Sequence, residues 1–226
     1  MKCEIKYAPT NLGEVIYPSV AVERRINGIA VGQLEGHVML HGPNGTGKTT
    51  VAKLLIQAIG GADARLEDWD GEELLAKPKL RDYLKNEAGV ARLTTSGKFF
   101  LLLNEFDNAK KGINKLWTAL DACGDGVVAV ITTNEPMDVH RSVRDRCTVI
   151  EMPGIPAIAA LPRVQYALQS EGLHLPDQQV LHYLKPQEQS RSLRKYMRVA
   201  DELLYLHSNS LSFPAWSATP TAFKVV

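Results

Sequence analysis

The chain has 226 residues, 45% of them hydrophobic and 23% charged, and carries a formal net charge of +1 at neutral pH. That composition fits one large globular domain with a smaller companion, and it excludes a disordered or fibrous chain and one that binds polyanions by overall charge. Any nucleic-acid contact has to come from a local basic patch.

Cys3, Cys123 and Cys147 lie far apart with no C-x-x-C pair, which argues against a disulfide framework and against zinc and points to a reducing cytoplasm. The N-terminal stretch MKCEIKYAPT lacks the apolar core of a signal peptide, and no run approaches the roughly 18 apolar residues of a membrane span. A cytoplasmic location without membrane contact is expected.

In chain order, the first strand-like run is HVMLHG at 37–42. It leads directly into GPNGTGKTT, which matches G-x-x-x-x-G-K-[S/T] at Gly42, Gly47, Lys48 and Thr49 and opens the helical pattern TVAKLLIQAIGG. Glycines let successive N–H groups turn toward phosphate oxygens, and the helix N-terminus adds partial positive charge. The loop Gly42, Pro43, Asn44, Gly45, Thr46, Gly47, Lys48, Thr49 and Thr50 is therefore expected to hold the phosphates of ATP, with Lys48 at the β/γ-phosphates and Thr49 on Mg²⁺.

The next segment, LLAKPKLRDYLKNEAG, places Lys77, Lys79, Arg81 and Lys85 within nine residues. They are candidates for sequence-independent DNA contact, set against the plainer reading of a solvated helix face diluted by Glu72, Glu73, Asp82 and Glu87. KFFLLLNE at 98–105 is a buried strand that ends in Asn104 and Glu105 where a P-loop site has an Asp followed by a Glu. Glu105 is the expected catalytic base, and Asn104 can reach Mg²⁺ only through a metal-bound water, without adding negative charge. After this strand, Lys110, Lys111 and Lys115 form a weaker basic candidate. GVVAVITTN at 126–134 delivers Asn134, suited to orient the attacking water or touch the γ-phosphate, and SVRDRC brings Arg144 and Arg146 before a last strand, CTVIEMP at 147–153.

These strands are apolar on both faces and alternate with helical patterns, which predicts an α/β fold with a parallel sheet flanked by helices. Beyond a hinge near Gly154, between Pro153 and Pro156, helices are predicted at about 156–171, 176–185 and 190–207. The expected division is 1–154, 155–207 and an irregular tail, 208–226, whose Phe213, Trp216 and Phe223 are candidates for docking on a partner or on the adjoining helices.

Taken together these segments resemble the AAA+ P-loop NTPases, and within them the clamp-loader small subunits, over nearly all of residues 5–207. IKYAPTNLGEV is similar to the segment that lies against the adenine in that family, which implicates Tyr7 and the Ala8-Pro9 step after it. LLNEFD is similar to its Walker B strand, TTN to its sensor 1, VRDRCTVIEMP to its SRC motif, and RSLRKYMRVADELL to the lid helix that carries sensor 2. The resemblance implies that Arg146 completes the site of a neighbouring subunit in trans and that Arg194 reaches the nucleotide from the lid. It implies ATP and Mg²⁺ as cofactors. It also implies partners: further copies or related AAA+ subunits, DNA, and a sliding clamp or other replication protein. Departures stand at Asn104, at Asp145 for the Ser of SRC, and at Arg191-Ser192 before sensor 2. The chain ends about where the lid ends, so a module without the family's collar domain is expected, of a sort common in phage, plasmid or mobile-element proteins. Three readings follow: a DNA-transaction motor, a nucleotide-gated assembly module with slow or no turnover, and a helicase-loader or transposition-regulator type.

Overall fold

The computed structural model describes residues 2–106, 113–137 and 139–215. Two compact units divide the chain: one runs from Pro9 to Pro153, and the other combines the N-terminal segment up to Ala8 with the residues from Gly154 onward.

In the larger unit, α2 (Val20–Ala30) follows Ser19, whose hydroxyl accepts from the Val22 N–H at 3.3 Å. Then come β1 (His37–His41), α3 (Lys48–Gly60), β2 (Arg65–Asp70), α4 (Gly71–Ala76) and α5 (Leu80–Ala91). β3 (Phe99–Asn104), α6 (Ile113–Asp121), β4 (Val127–Thr133), α7 (Arg141–Arg144) and β5 (Cys147–Glu151) complete it. Among the described residues the sheet has five strands in the order β2-β3-β4-β1-β5, and every pairing is parallel.

The side-chain alternation of the strands builds a core on each face. Phe99, Leu101 and Leu103 of β3 join Val127, Ala129 and Ile131 of β4 and Met39 of β1 on the α5/α6 side. Phe100, Leu102, Val128, Val130, Val38 and Leu40 pack on Val51, Leu55 and Ile56 of α3 on the other. Burying each such side chain contributes about 1.5–3 kcal/mol, which is why central strands of a parallel sheet are apolar at every position. β2 is the strand the sequence pattern does not predict. It is an edge strand, largely exposed along RLEDWD, and so lacks the apolar run that marks the others.

The smaller unit holds α1 (Cys3–Lys6), α8 (Ala157–Ser170), α9 (Asp177–Leu184) and α10 (Leu193–Ser208), the last three close to the predicted spans. Its core includes Val164, Leu168, Val180, Leu184, Tyr196 and Leu203. The first eight residues differ from the expected division, because α1 packs within this unit: the Cys3 N–H donates to Asp201 Oδ1 at 2.8 Å, and Arg194 Nε donates to Glu4 Oε1 at 2.8 Å. At the start of the tail, Tyr183 Oη donates to the Pro214 carbonyl at 3.1 Å and Phe213 is half-buried. Trp216 and Phe223 lie outside the described residues.

His37 opens β1. Its Nδ1 accepts from the Ala129 N–H at 3.1 Å, and its ring lies 5.6 Å from that of Trp117. Burial holds its pKa below the ordinary 6.5. The unfolded chain therefore takes up the proton first, so stability declines as pH falls below about 6.5 and levels off beneath the folded-state pKa. The urea midpoint of the wild type should fall over that interval, and His37→Phe should remove that part of the slope. Identical slopes in the two chains would refute the assignment.

Candidate functional site

The loop between β1 and α3 is set by backbone geometry. Gly42 sits at φ 145°, its N–H donates to the Thr133 carbonyl at 3.3 Å, and a Cβ there would lie 2.2 Å from the Met152 carbonyl oxygen. Gly47 caps α3 at φ 89°, and a Cβ added to it would meet no atom within 4 Å, so the loop leaves open space beside the helix N-terminus. Thr46 Oγ1 donates across the loop to the Pro43 carbonyl at 3.1 Å. An N-terminus with this open cradle suits a phosphate.

Lys48, the first residue of α3, is 8% exposed. Its ammonium donates to the carbonyls of Gly42 at 2.7 Å and Pro43 at 2.9 Å, and to Asn134 Oδ1 at 3.0 Å. Two residues singled out from separate stretches of sequence, Lys48 and Asn134, are therefore in direct contact at the C-terminal edge of the sheet, where α/β proteins place their ligands.

Thr49 Oγ1 donates to Asn104 Oδ1 at 3.2 Å, and Thr132 Oγ1 donates to the same oxygen at 3.2 Å. The amide nitrogen of Asn104 donates in turn to Asp68 Oδ1, while Asp68 Oδ2 pairs with Lys53 Nζ at 2.9 Å. Thr132 Oγ1 also accepts from the Glu105 N–H at 3.3 Å. Glu105 stands just past β3 at φ 49°, a left-handed conformation uncommon outside glycine, with its side chain exposed and Phe106 after it 2% exposed. Asp107, which follows, lies outside the described residues.

Asp68 and Thr132 are the members of this cluster that the sequence reading misses. Asp68 lies on β2, whose register pairs Asp70 with Asn104, so Asp68 and Asn104 face the same side as α3. The alternating acids of EDWD at a strand end are the only signal the sequence holds for it. Thr49, Asn104 and Asp68 offer hydroxyl, amide and carboxylate oxygens, the hard donors that Mg²⁺ takes. Among the described residues no group of three or more His, Cys, Asp or Glu side chains gathers.

Of the two arginines in SVRDRC, Arg144 turns inward: its Nε is buried without a hydrogen-bond partner and its Nη1 lies 2.9 Å from the Met137 sulfur. Arg146 is exposed, with Nη1 donating to the Ser142 carbonyl at 3.2 Å, Nη2 3.6 Å from Asp121 Oδ2, and its guanidinium 5.5 Å from the Trp117 ring. In the smaller unit, Arg194 is held by Glu4, as described above. Tyr7 donates its hydroxyl to Glu171 Oε1 at 2.6 Å, stands edge-on to Tyr166 at 5.7 Å, and receives Arg163 Nη1 on its carbonyl at 2.8 Å. Tyr7 and Ala8 thus belong to the smaller unit and Pro9 to the larger.

The basic candidates divide. The Lys77 ammonium lies 4.5 Å from the Trp69 ring centroid and 3.8 Å from that of Tyr83, and Lys115 Nζ donates to the carbonyls of Leu75 at 3.1 Å and Lys77 at 2.7 Å. Both are committed to shaping the α4–α5 corner. Lys79, Arg81 and Lys85 are exposed, and Lys110 and Lys111 lie outside the described residues. Cys3, Cys123 and Cys147 are free thiols, and burial pushes those of Cys3 and Cys147 up to about 12. Among the described residues no helix is long and apolar enough to cross a membrane.

Residues 38–154, just over half of the chain, match the model of the "ATPase family associated with various cellular activities (AAA)". Among curated proteins, the sliding-clamp-loader large subunit of Escherichia phage RB69 is 28% identical over 152 residues, covering 66% of this chain and 45% of that protein. The replication factor C small subunit 2 of Pyrobaculum aerophilum is 24% identical over 180 residues, covering 76% and 54%. For replication factor C subunit 3 of Blastobotrys adeninivorans the figures are 25% over 195 residues, 83% and 57%. The chain spans about half the length of the curated relatives it matches. Among solved structures, the RuvB Holliday junction branch migration motor of Thermotoga maritima superposes with a TM-score of 0.68 at 16% identity, covering 91% of this chain and 68% of that one. The FIGL-1 AAA domain in complex with ADP gives 0.65 at 14%, covering 89% and 75%. Both speak for the fold alone.

Proposed function

The chain belongs to the AAA family of ATPases, and from that premise we propose that it binds and hydrolyses ATP as a clamp-loader type module in DNA replication or a related DNA transaction. The observation that carries this reading is the contact of Lys48 with Asn134 and of Thr49 with Asn104, which joins the loop to the ends of β3 and β4.

In this reading the loop amides and Lys48 bind the phosphates, Asn134 orients the attacking water, and Glu105 takes its proton. Thr49, with Asn104 behind it, would hold Mg²⁺, which would supply charge neutralisation for phosphoryl transfer. Arg146 serves the site of an adjoining AAA subunit, Arg194 serves the nucleotide from the smaller unit acting as a lid, and Tyr7, Ala8 and Pro9 flank the base. Lys79, Arg81 and Lys85 supply the local positive charge for DNA, and the proposed setting is the cytoplasm with a sliding clamp or another replication protein as partner.

The test is ATP turnover by the purified chain with Mg²⁺ and primed DNA, beside a Lys48→Ala control. Turnover no higher than the control overturns hydrolysis. Arg146→Ala should lower turnover at least tenfold, a conservative bound for an arginine acting in trans. Mixing it with Lys48→Ala subunits should restore part of the activity, because an interface in which the Arg146→Ala subunit gives the loop and the Lys48→Ala subunit gives the arginine is complete, while the reverse interface lacks both. No recovery on mixing refutes the trans role.

A second reading, a nucleotide-gated assembly module with slow turnover, is favoured by one observation: Thr49 meets an amide oxygen at Asn104 where a carboxylate is usual. It is distinguished by nucleotide-dependent association without turnover.

A further inference from the structure

We infer that Asp68, on the edge strand, supplies the negative charge that Asn104 cannot, and acts on the Mg²⁺ site through Asn104 as a positioning residue. The inference rests on the nucleotide-site reading above and deepens it: the carboxylate has moved from the end of β3 to the neighbouring strand.

The contacts form one directed chain. Asn104 donates through Nδ2 to Asp68 Oδ1, which leaves Oδ1 of Asn104 as the acceptor for the hydroxyls of Thr49 and Thr132, each at 3.2 Å. An amide that donates to an anion is polarised, so its oxygen accepts more strongly. The amide is set this way round by Asp68, because the flipped form would put the Asn104 oxygen against the carboxylate, two acceptors with no proton between them. With the Thr49 proton committed to Asn104, the lone pairs of its Oγ1 remain available to a hard cation.

The placement of the acids points the same way. Asp68 and Asp70 are the acids on that side of β2, and the Asp70 Oδ1 caps α4 by accepting from the Glu72 N–H at 2.8 Å. Asp68 alone turns toward α3, where its second oxygen meets Lys53 at 2.9 Å, four residues after Thr49 on the same helix. That ion pair is exposed, with side chains 51% and 40% accessible, so as a stabilising contact it is worth little and its effect is best sought at the metal.

The experiment is a titration of Mg²⁺ against a fluorescent ADP analogue bound to the full chain, with affinity also measured in EDTA. Asp68→Asn should raise the half-saturating Mg²⁺ concentration by about 10–100-fold, the range for partners behind a metal ligand, while affinity in EDTA stays as in the wild type. The exchange variant Asp68→Asn with Asn104→Asp puts the carboxylate back on β3 and should restore the wild-type Mg²⁺ dependence. Unchanged Mg²⁺ dependence in Asp68→Asn, an equal loss with and without Mg²⁺, or no recovery in the exchange variant each overturns the inference. Failure of the wild type to bind the analogue at all would instead overturn the nucleotide-site reading on which it rests.

Discussion

Glu105→Gln is expected to lower ATP turnover by about 10²–10⁴-fold, the span for loss of a general base, while leaving nucleotide affinity unchanged. The geometry behind this expectation is the way the residue leaves the sheet. β3 buries every residue from Phe99 to Leu103, Phe106 plunges back into the core, and between them the chain turns through φ 49° at Glu105. The turn costs about 1–2 kcal/mol for a residue with a Cβ. It is held by the Thr132 hydroxyl on the Glu105 N–H and by the burial of Phe106, and it leaves the carboxylate exposed beyond the strand end. Glutamine keeps size and hydrogen bonding but cannot take a proton from water. The measurements are single-turnover hydrolysis and equilibrium binding on the same preparation. Wild-type turnover in the variant would remove Glu105 from the role of base.

The second large effect is structural. Gly42→Ala should destabilise the larger unit by about 3 kcal/mol or more, combining an unfavourable φ with overpacking, each worth roughly 1–3 kcal/mol. The added methyl meets backbone, the Met152 carbonyl at 2.2 Å, and Met152 is itself tied to β1 through its N–H to the His41 carbonyl at 2.6 Å. Neither partner can swing aside as a side chain would. Chemical denaturation followed by circular dichroism reads the loss, and a midpoint equal to the wild type would show that the turn relaxes freely.

The parts of this protein that are legible in sequence are those in which neighbouring residues do the work together. The loop from Gly42 to Thr49 is read from spacing because a phosphate cradle is made of consecutive backbone groups, and the central strands are read from composition because both faces are covered. β2 escapes because an edge strand carries polar side chains, and Asp68 escapes with it. The Lys77 ammonium between Trp69 and Tyr83 escapes for another reason: its two rings come from β2 and α5, and their approach is a product of tertiary packing. The contrast between Arg144 and Arg146, two residues apart at the end of α7, depends on which one finds Met137 and which finds Asp121 and Trp117.

The membership of α1 in the smaller unit bears on the order in which the chain becomes structured during synthesis. Four helical residues are too few to persist alone, since a helix shorter than about 12 residues is marginal in water. Cys3 meets Asp201, Glu4 meets Arg194 and Lys6 meets Glu171, and the bond from the Cys3 N–H to Asp201 spans a sequence separation of 198. These residues are made before the segments they pack on and are thus among the last to find their place, while residues 9–153 form an uninterrupted stretch that can assemble its sheet in the meantime.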